Sequence, residues 1–567
     1  MAESAYTRIR RSLFRHPLLT VFGAALLFRL CFGLSFLSSP FRFFHTVPGL
    51  DMETLLRFGE WGTPGNSFFL TLHRLQTFIL WKLNGGVHPV LLHAAIQALA
   101  GAAGAALLTL TMRRLTGNRL LALAAGLLWA FNPVELMYEF TTLQDSLVNF
   151  TILLSFHLFL TARKRHFLFV PAFIAGVFAG LAATGRPVAA GMVLVLFFWS
   201  VRYLHRRSLP FRRAAGFPAG VLALWLCFAV VNHAFGAGFA CFFNPVPYTV
   251  AYNTAAPAAS AREQGESPAL PPLARTAMKM CSRLPRLWAM EELPENLNIY
   301  FLRTKLPLLK LPFEILILLA GAGTLLILPS GKWRKKEGLI LIPILSLAFF
   351  LCVREPIGRY RLLLLPWFAL LGVWGVGWAC TGKRRALAFL LILTVFGFMF
   401  SATLTCRGGR AADFTAWGWA LEGEAGRTTP ESLKYFRTAW QFKPEPGSAV
   451  NVITRAIRLD DRALAERTAA EWMKWIPSSL AFYYGAVAAY PKYGEMAKCL
   501  RQVAPEQLPE LQRFRYYLLD GEARRNTGDL SGAKRSYVSA LKIPAGSPAQ
   551  RRHAENSLKQ LQQGDKK

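Results

Sequence analysis

At 567 residues, 53% hydrophobic and 17% charged, with a mean hydropathy of +0.31, the chain is too apolar for an ordinary soluble protein and has the composition of a polytopic membrane protein. The net charge of +33 would suit a nucleic-acid binder, but many basic residues stand in short clusters between apolar segments, where positive charge sets membrane orientation. Eight scattered cysteines, without a CxxC or Cys/His spacing, exclude a recognisable structural zinc site and a dense disulfide framework.

Arg8, Arg10 and Arg11 precede an apolar run from Leu18 to Leu37, which is longer than a signal-peptide core and lacks a clear cleavage site. It reads as a retained first span. Apolar stretches recur at about residues 18–37, 89–112, 119–136, 143–161, 167–184, 187–204, 214–235, 307–329, 338–353, 361–380 and 386–404, about eleven spans in all. Alternate connections are basic: RIRR near the start, MRRLTGNR at 112–119, ARKRH at 162–166, Arg202 to Arg213, GKWRKK at 331–336 and GKRR at 382–385. Placing all six in the cytoplasm gives one consistent threading, with the N-terminus inside and the C-terminus outside.

Outside then lie 38–88, short turns near Phe140 and Arg186, the loop 236–306, the turn from Arg354 to Arg361 and everything after Cys406. Loops of that length exceed what a connector needs. The helical spacing of Leu55, Leu56, Phe58, Phe68, Phe69, Leu72, Leu75 and Phe78 predicts amphipathic surface helices within 52–82. Cys241 and Cys281 share the second long loop, where a disulfide is one option and two free thiols the other.

The polar stretch VPGLDMETLLRFGEW, Val47 to Trp61, carries Asp51 and Glu53, the first carboxylates after Glu3. Group transfer to a hydroxyl at a membrane surface needs a general base within reach of water and headgroups, and Asp51 suits that role. It would equally cap a surface helix. Arg29 falls inside the first span, where it either pairs within the bundle or meets a substrate. Asp145 opens the fourth span on the outer side, in a segment that also holds Glu139. Arg186, and Arg359-Tyr360-Arg361, sit at outer span ends, where arginine is disfavoured for topology; their planar forks suit a lipid-linked phosphate or anchor headgroups. Asn298, Tyr300, Arg303 and Lys305 combine sugar-type and phosphate-type hydrogen-bonding groups, or form the polar edge of an interfacial helix.

The motifs PGLDME at 48–53, NPVELMYEFTTLQDSL at 132–147, GLAATGRP at 180–187, ENLNIYFLR at 295–303 and GRYRLLLLP at 358–366 occur in an order and on a face that resemble the polytopic GT-C glycosyltransferases. The likeness is to the family 39-like branch related to protein mannosyltransferases and the aminoarabinose lipid A transferase. It covers about residues 15 to 405. It implies a polyprenyl-phosphate sugar donor, Asp51 as the first-loop catalytic aspartate, and Asp145 where relatives often carry Glu. Arg186, Arg303, Lys305, Arg359 and Arg361 become donor-phosphate ligands, and Glu53, Glu139, Asn253, Asn298, Tyr300 and Tyr360 substrate contacts. The chain departs from the family in reading SFFLTLHRLQTF, with His73-Arg74, where relatives have a Pro-Leu-Tyr-Pro element, and in reducing a glycine-asparagine element to Ala251-Tyr252-Asn253-Thr254. Some relatives need a divalent ion and others do not; Asp51, Glu53 and Asp145 are the carboxylates that would hold Mg or Mn.

The expected fold is thus a polytopic α-helical membrane protein of GT-C type over 1–410, with a soluble, extracytoplasmic α-helical repeat domain over 411–567. In the latter, Tyr517, Gly521, Gly528, Ala533, Tyr537 and Ala540 match one tetratricopeptide repeat from about Arg515 to Pro548, with Arg524 where an aromatic usually stands. Leu433 to Pro446 and Ala463 to Pro491 read as degenerate helical pairs. The tail either binds an acceptor or partner protein or caps the membrane domain. The expected activity is sugar transfer to a protein, lipid or glycan hydroxyl at a bacterial inner membrane. The rivals are a transporter or flippase, and a membrane scaffold without catalysis.

Overall fold

The computed structural model describes residues 16–48, 50, 52, 72–85, 90–186, 188–210, 213, 215–234, 278, 280–281, 283, 297–327, 336–354, 358–401 and 409–564. Among these no strand occurs, and the fold is all-helical. The chain divides into two compact units, Met1–Gly408 and Gly409–Lys567.

The first unit contains α1 (Pro17–Leu37), α2 (Leu72–Leu83), α3 (Val90–Thr116), α4 (Arg119–Ala130), α5 (Pro133–Glu139), α6 (Asp145–Lys164), α7 (Phe169–Gly185), α8 (Ala189–Arg206) and α9 (Gly216–Ala234). After the long loop come α10 (Ile299–Arg303), α11 (Glu314–Ile327), α12 (Leu341–Arg354), α13 (Gly358–Arg361), α14 (Leu365–Ala379) and α15 (Lys383–Ser401). Each apolar stretch is helical over most of its described length. Among the described residues, five segments are long and apolar enough to cross a membrane: Pro17–Leu37, Val90–Thr116, Asp145–Lys164, Pro307–Ile327 and Leu362–Ala379. A sixth counts if α4 and α5, bent by 50°, form one span.

The sequence reading made 119–136 a single span; the structure breaks it at Phe131-Asn132. Pro133 disfavours a helical residue before it, and the Asn132 side chain starts a new helix by accepting from Val134 N at 2.9 Å and Glu135 N at 3.3 Å. The helix expected within 52–82 is present as α2, and residues 53–71 lie outside the described part.

Small residues set the closest packing. A Cβ on Gly176 of α7 would run into Phe217 O, and one on Gly220 of α9 into Phe173 O, so these two helices meet backbone to backbone. A Cβ on Gly101 of α3 would collide with the Glu139 carboxylate, which occupies the space that glycine leaves. The helix ends segregate by chemistry. Arg114, near the end of α3, donates to His157 O at 3.1 Å and to Thr161 Oγ1, and Arg163 covers the Trp199 ring at 5.3 Å. The opposite ends carry Gln97, Asp145 and Arg186.

The second unit is a succession of helices, each packed on the next: α16 (Ala411–Ala425), α17 (Pro430–Phe442), α18 (Pro446–Arg458), α19 (Arg462–Trp475), α20 (Ser479–Ala489), α21 (Tyr493–Leu500), α22 (Glu510–Asn526), α23 (Leu530–Leu541) and α24 (Pro548–Gly564). Helices α22 and α23 form a helical pair over the stretch where the repeat is expected: Ala533, Tyr537 and Ala540 are buried, Gly521 lies against the Tyr537 ring, and Gly528 turns the chain at φ +90°. Arg524 replaces the aromatic with ion pairs to Asp520 at 2.8 Å and Asp529 at 2.9 Å. Ala463 to Pro491 is a helical pair, whereas Leu433 to Pro446 is most of one helix, α17, and the turn after it.

Candidate active site at one end of the helix bundle

Asp145 is the first residue of α6, where the helix N-terminus favours a negative charge, and it is fully buried. Arg186 follows the last turn of α7, held extended by the proline after it, and donates from Nε and Nη2 to Asp145 Oδ1 at 2.9 and 2.5 Å. Its guanidinium covers the Tyr360 ring at 5.1 Å. Asp145 Oδ2, also buried, accepts no hydrogen bond among the described residues.

The turn between α5 and α6 is pinned from several sides. Gln97 donates to Thr141 O at 3.0 Å and to Leu143 O, with His93 Nε2 3.0 Å away, and Gln144 donates to Gly185 O. Thr142 Oγ1 donates to Met52 O at 3.2 Å, tying the first loop to this turn. Asp51 and Glu53, which flank Met52, lie outside the described residues, as do Asn253 and the Arg359 side chain.

Behind the turn sits a second polar layer. Arg29, at 1% exposure, donates to Glu139 Oε1 at 2.6 Å, to Ala130 O at 3.1 Å and to Ala25 O at 3.2 Å. Asn149, one turn beyond Asp145, donates to Glu135 Oε2 at 3.1 Å and to Leu362 O at 3.3 Å, beside the buried Arg361. Glu135, Asn149 and Gln97 carry no role in the sequence reading. Their signal was present in the i, i+4 spacing of Glu135 with Glu139 and of Asp145 with Asn149, which puts each pair on one helix face.

The structure therefore brings together Asp145, Arg186 and Tyr360, with Glu139 and Arg361 in the buried layer around them. The segment from Asn298 to Lys305 holds four further expected site residues, Asn298, Tyr300, Arg303 and Lys305. Asn298 caps α10 through Tyr300 N at 3.0 Å, and the turn Pro307–Lys310 packs on α5. Arg303, expected at a phosphate, is committed elsewhere: it donates to Glu314 Oε1, Leu309 O and Leu311 O, each at 2.9 Å, and its guanidinium covers Phe313 at 5.0 Å. Lys305 Nζ lies over the Phe301 ring at 5.9 Å, and Tyr300 is buried. Asp145 and Arg186 make no hydrogen bond or ion pair with this segment among the described residues.

Cys281 carries a free thiol, and Cys241 lies outside the described residues; Arg283, near Cys281, donates to Cys352 O at the end of α12, at 3.1 Å. Among the described residues no three His, Cys, Asp or Glu side chains group as metal ligands. Of the three carboxylates expected to hold a divalent ion, Asp145 alone is described, with one oxygen engaged by Arg186. Comparison with protein families, with curated proteins and with solved structures finds no match to this chain.

Proposed function

We propose that this protein is an integral membrane glycosyltransferase that moves a sugar from a polyprenyl-phosphate donor to an acceptor hydroxyl on the extracytoplasmic face of a bacterial inner membrane. The observation that carries the reading is the Thr142–Met52 hydrogen bond, which draws the Asp51-bearing loop to the turn that presents Asp145 and Arg186. The polar helix ends lie opposite the Arg114 and Arg163 ends, which agrees with a cytoplasmic placement of the basic clusters.

In this reading Asp51 takes the proton from the acceptor hydroxyl as its oxygen attacks the anomeric carbon opposite the phosphate. The bond to phosphate breaks, the electron pair leaves with it, and the configuration inverts. Arg186, steadied by Asp145 and Tyr360, neutralises the leaving phosphate with Arg359 and Arg361. Glu53 and Glu139 order the acceptor side, and Asp51, Glu53 and Asp145 are the carboxylates that would hold a Mg or Mn ion. The acceptor is a protein, lipid or glycan, and the helical-repeat unit is the surface available to recruit it.

A transporter or flippase is the second reading, favoured by the bent α4–α5 pair and the buried Arg29–Glu139 ion pair. A panel of radiolabelled polyprenyl-phosphate sugars, offered to the purified protein in lipid with membrane extract as acceptor, separates the two. Transfer from one donor, reduced about 10²- to 10⁴-fold by Asp51→Asn in folded protein, supports the enzyme. Transbilayer movement of the donor without sugar release supports the transporter and overturns the proposal.

A further inference from the structure

One edge of the second unit is aromatic and exposed. Phe442 ends α17 and Trp475 ends α19, with 61% and 55% of their surface in solvent, and Ile476 follows at 38%. The rings are held in two pairs: Phe414 against Phe442 at 5.1 Å, and Trp440 stacked on Trp475 at 6.0 Å. Phe414 belongs to the first turn of α16, so the chain enters the unit at this same edge. Lys474 stands exposed beside the rings, and Lys443, also exposed, is ion-paired with Glu445.

Exposed aromatic side chains cost solubility at a free edge, whereas at the level of lipid headgroups their amphipathic rings are favoured and lysines beside them meet phosphate. Only residues 402–410 separate Ser401, the end of apolar helix α15, from the first residue of α16, a reach of at most about 36 Å. The edge that carries the rings is therefore the one closest along the chain to the end of α15. We infer that this edge, built on Phe442, Trp475 and Ile476, docks into the interfacial layer of a bilayer containing anionic phospholipid. The inference rests on the reading of α15 as a membrane span.

The test uses the full chain in vesicles of phosphatidylcholine and phosphatidylglycerol. The variants Phe442→p-benzoylphenylalanine and Trp475→p-benzoylphenylalanine are irradiated and their adducts identified by mass. Tyr490→p-benzoylphenylalanine is the control: Tyr490 is 38% exposed, and its carbonyl accepts from Arg462 at the start of α19, the opposite end of that helix from Trp475. Ile476→p-benzoylphenylalanine is a third position if either aromatic replacement disturbs the stack.

Lipid adducts at 442 and 475 at least about tenfold above those at 490 are expected for an interfacial edge. Absence of lipid adducts, equal labelling at 490, or crosslinks to protein in place of lipid would each overturn the inference. Alkaline carbonate extraction distinguishes the two levels. A chain released from the vesicles defeats the membrane reading itself, while a retained chain without lipid adducts defeats only the docking edge.

Discussion

The buried arginine–carboxylate pairs of the two units, Arg455–Glu422 in the second and Arg186–Asp145 and Arg29–Glu139 in the first, are built to opposite standards. In the second unit Arg455 holds Glu422 with both hands, Nε to Oε1 at 2.9 Å and Nη2 to Oε2 at 2.8 Å, while Nη1 reaches Asn451 Oδ1 at 3.0 Å. Ser432 adds a donor to Oε1, and Trp419 and Phe436 cover the guanidinium at 4.1 Å each. In the first unit Arg186 grips only Oδ1 of Asp145, leaving Oδ2 without a donor among the described residues, and Arg29 leaves Glu139 Oε2 in the same state. A buried acceptor left open costs stability, about 1–3 kcal/mol each. The second unit closes its buried charges between helices, and the first leaves two buried carboxylate oxygens without a donor among the described residues.

The largest expected effect on stability breaks the closed pair. Arg455→Met strands the Glu422 carboxylate and should destabilise the second unit by about 3–5 kcal/mol, while Arg455→Met with Glu422→Met together should recover most of that loss. Thermal unfolding of the two variants checks this, and a double variant as unstable as the single would show that the pair is more than a local charge balance. Next comes Ser536→Ala, which removes the hydroxyl that donates to Asp520 at 2.5 Å and should cost about 1.5–3 kcal/mol in the same measurement. Thr429→Ala, which opens the capping box with Ser432 at the start of α17, should cost about 1 kcal/mol.

The smallest expected effect is a pH dependence. Burial, with Asp520 nearby, pushes the Tyr516 hydroxyl up to about 12 from its usual 10. An acid raised in the folded state stabilises the fold below its unfolded value, so this contribution is intact below pH 10 and is lost as the pH rises to about 12. The fall in unfolding temperature across that window should be shallower in Tyr516→Phe, and identical slopes would remove Tyr516 from the account.

What the sequence revealed was mostly local. Asp145 reads as a helix start because it follows a polar turn, Arg186 as a turn because it stands between glycine and proline, and Gly528 as the turn of a helical repeat. The misreadings were long-range. Arg303 looks like a phosphate ligand because it stands on the outer side, yet its partner is Glu314, eleven residues on, across a turn whose geometry spacing does not reveal. The 119–136 stretch is apolar apart from Arg119, Asn132 and Glu135, and its break depends on one capping asparagine before a proline. Glu135 and Asn149 meet only because that break redirects α5 onto α6, and no composition argument reaches so far.

In the proposed glycosyltransferase the open carboxylate end of the first unit is the working site, and the closed pair of the second is scaffold. The most direct measurement is the rate of sugar transfer by Asp145→Asn beside Glu422→Gln, both reconstituted in lipid and compared at equal folded fraction. A loss of about 10²-fold or more is expected for Asp145→Asn, and a rate within about twofold of wild type for Glu422→Gln. Wild-type transfer by folded Asp145→Asn would contradict it.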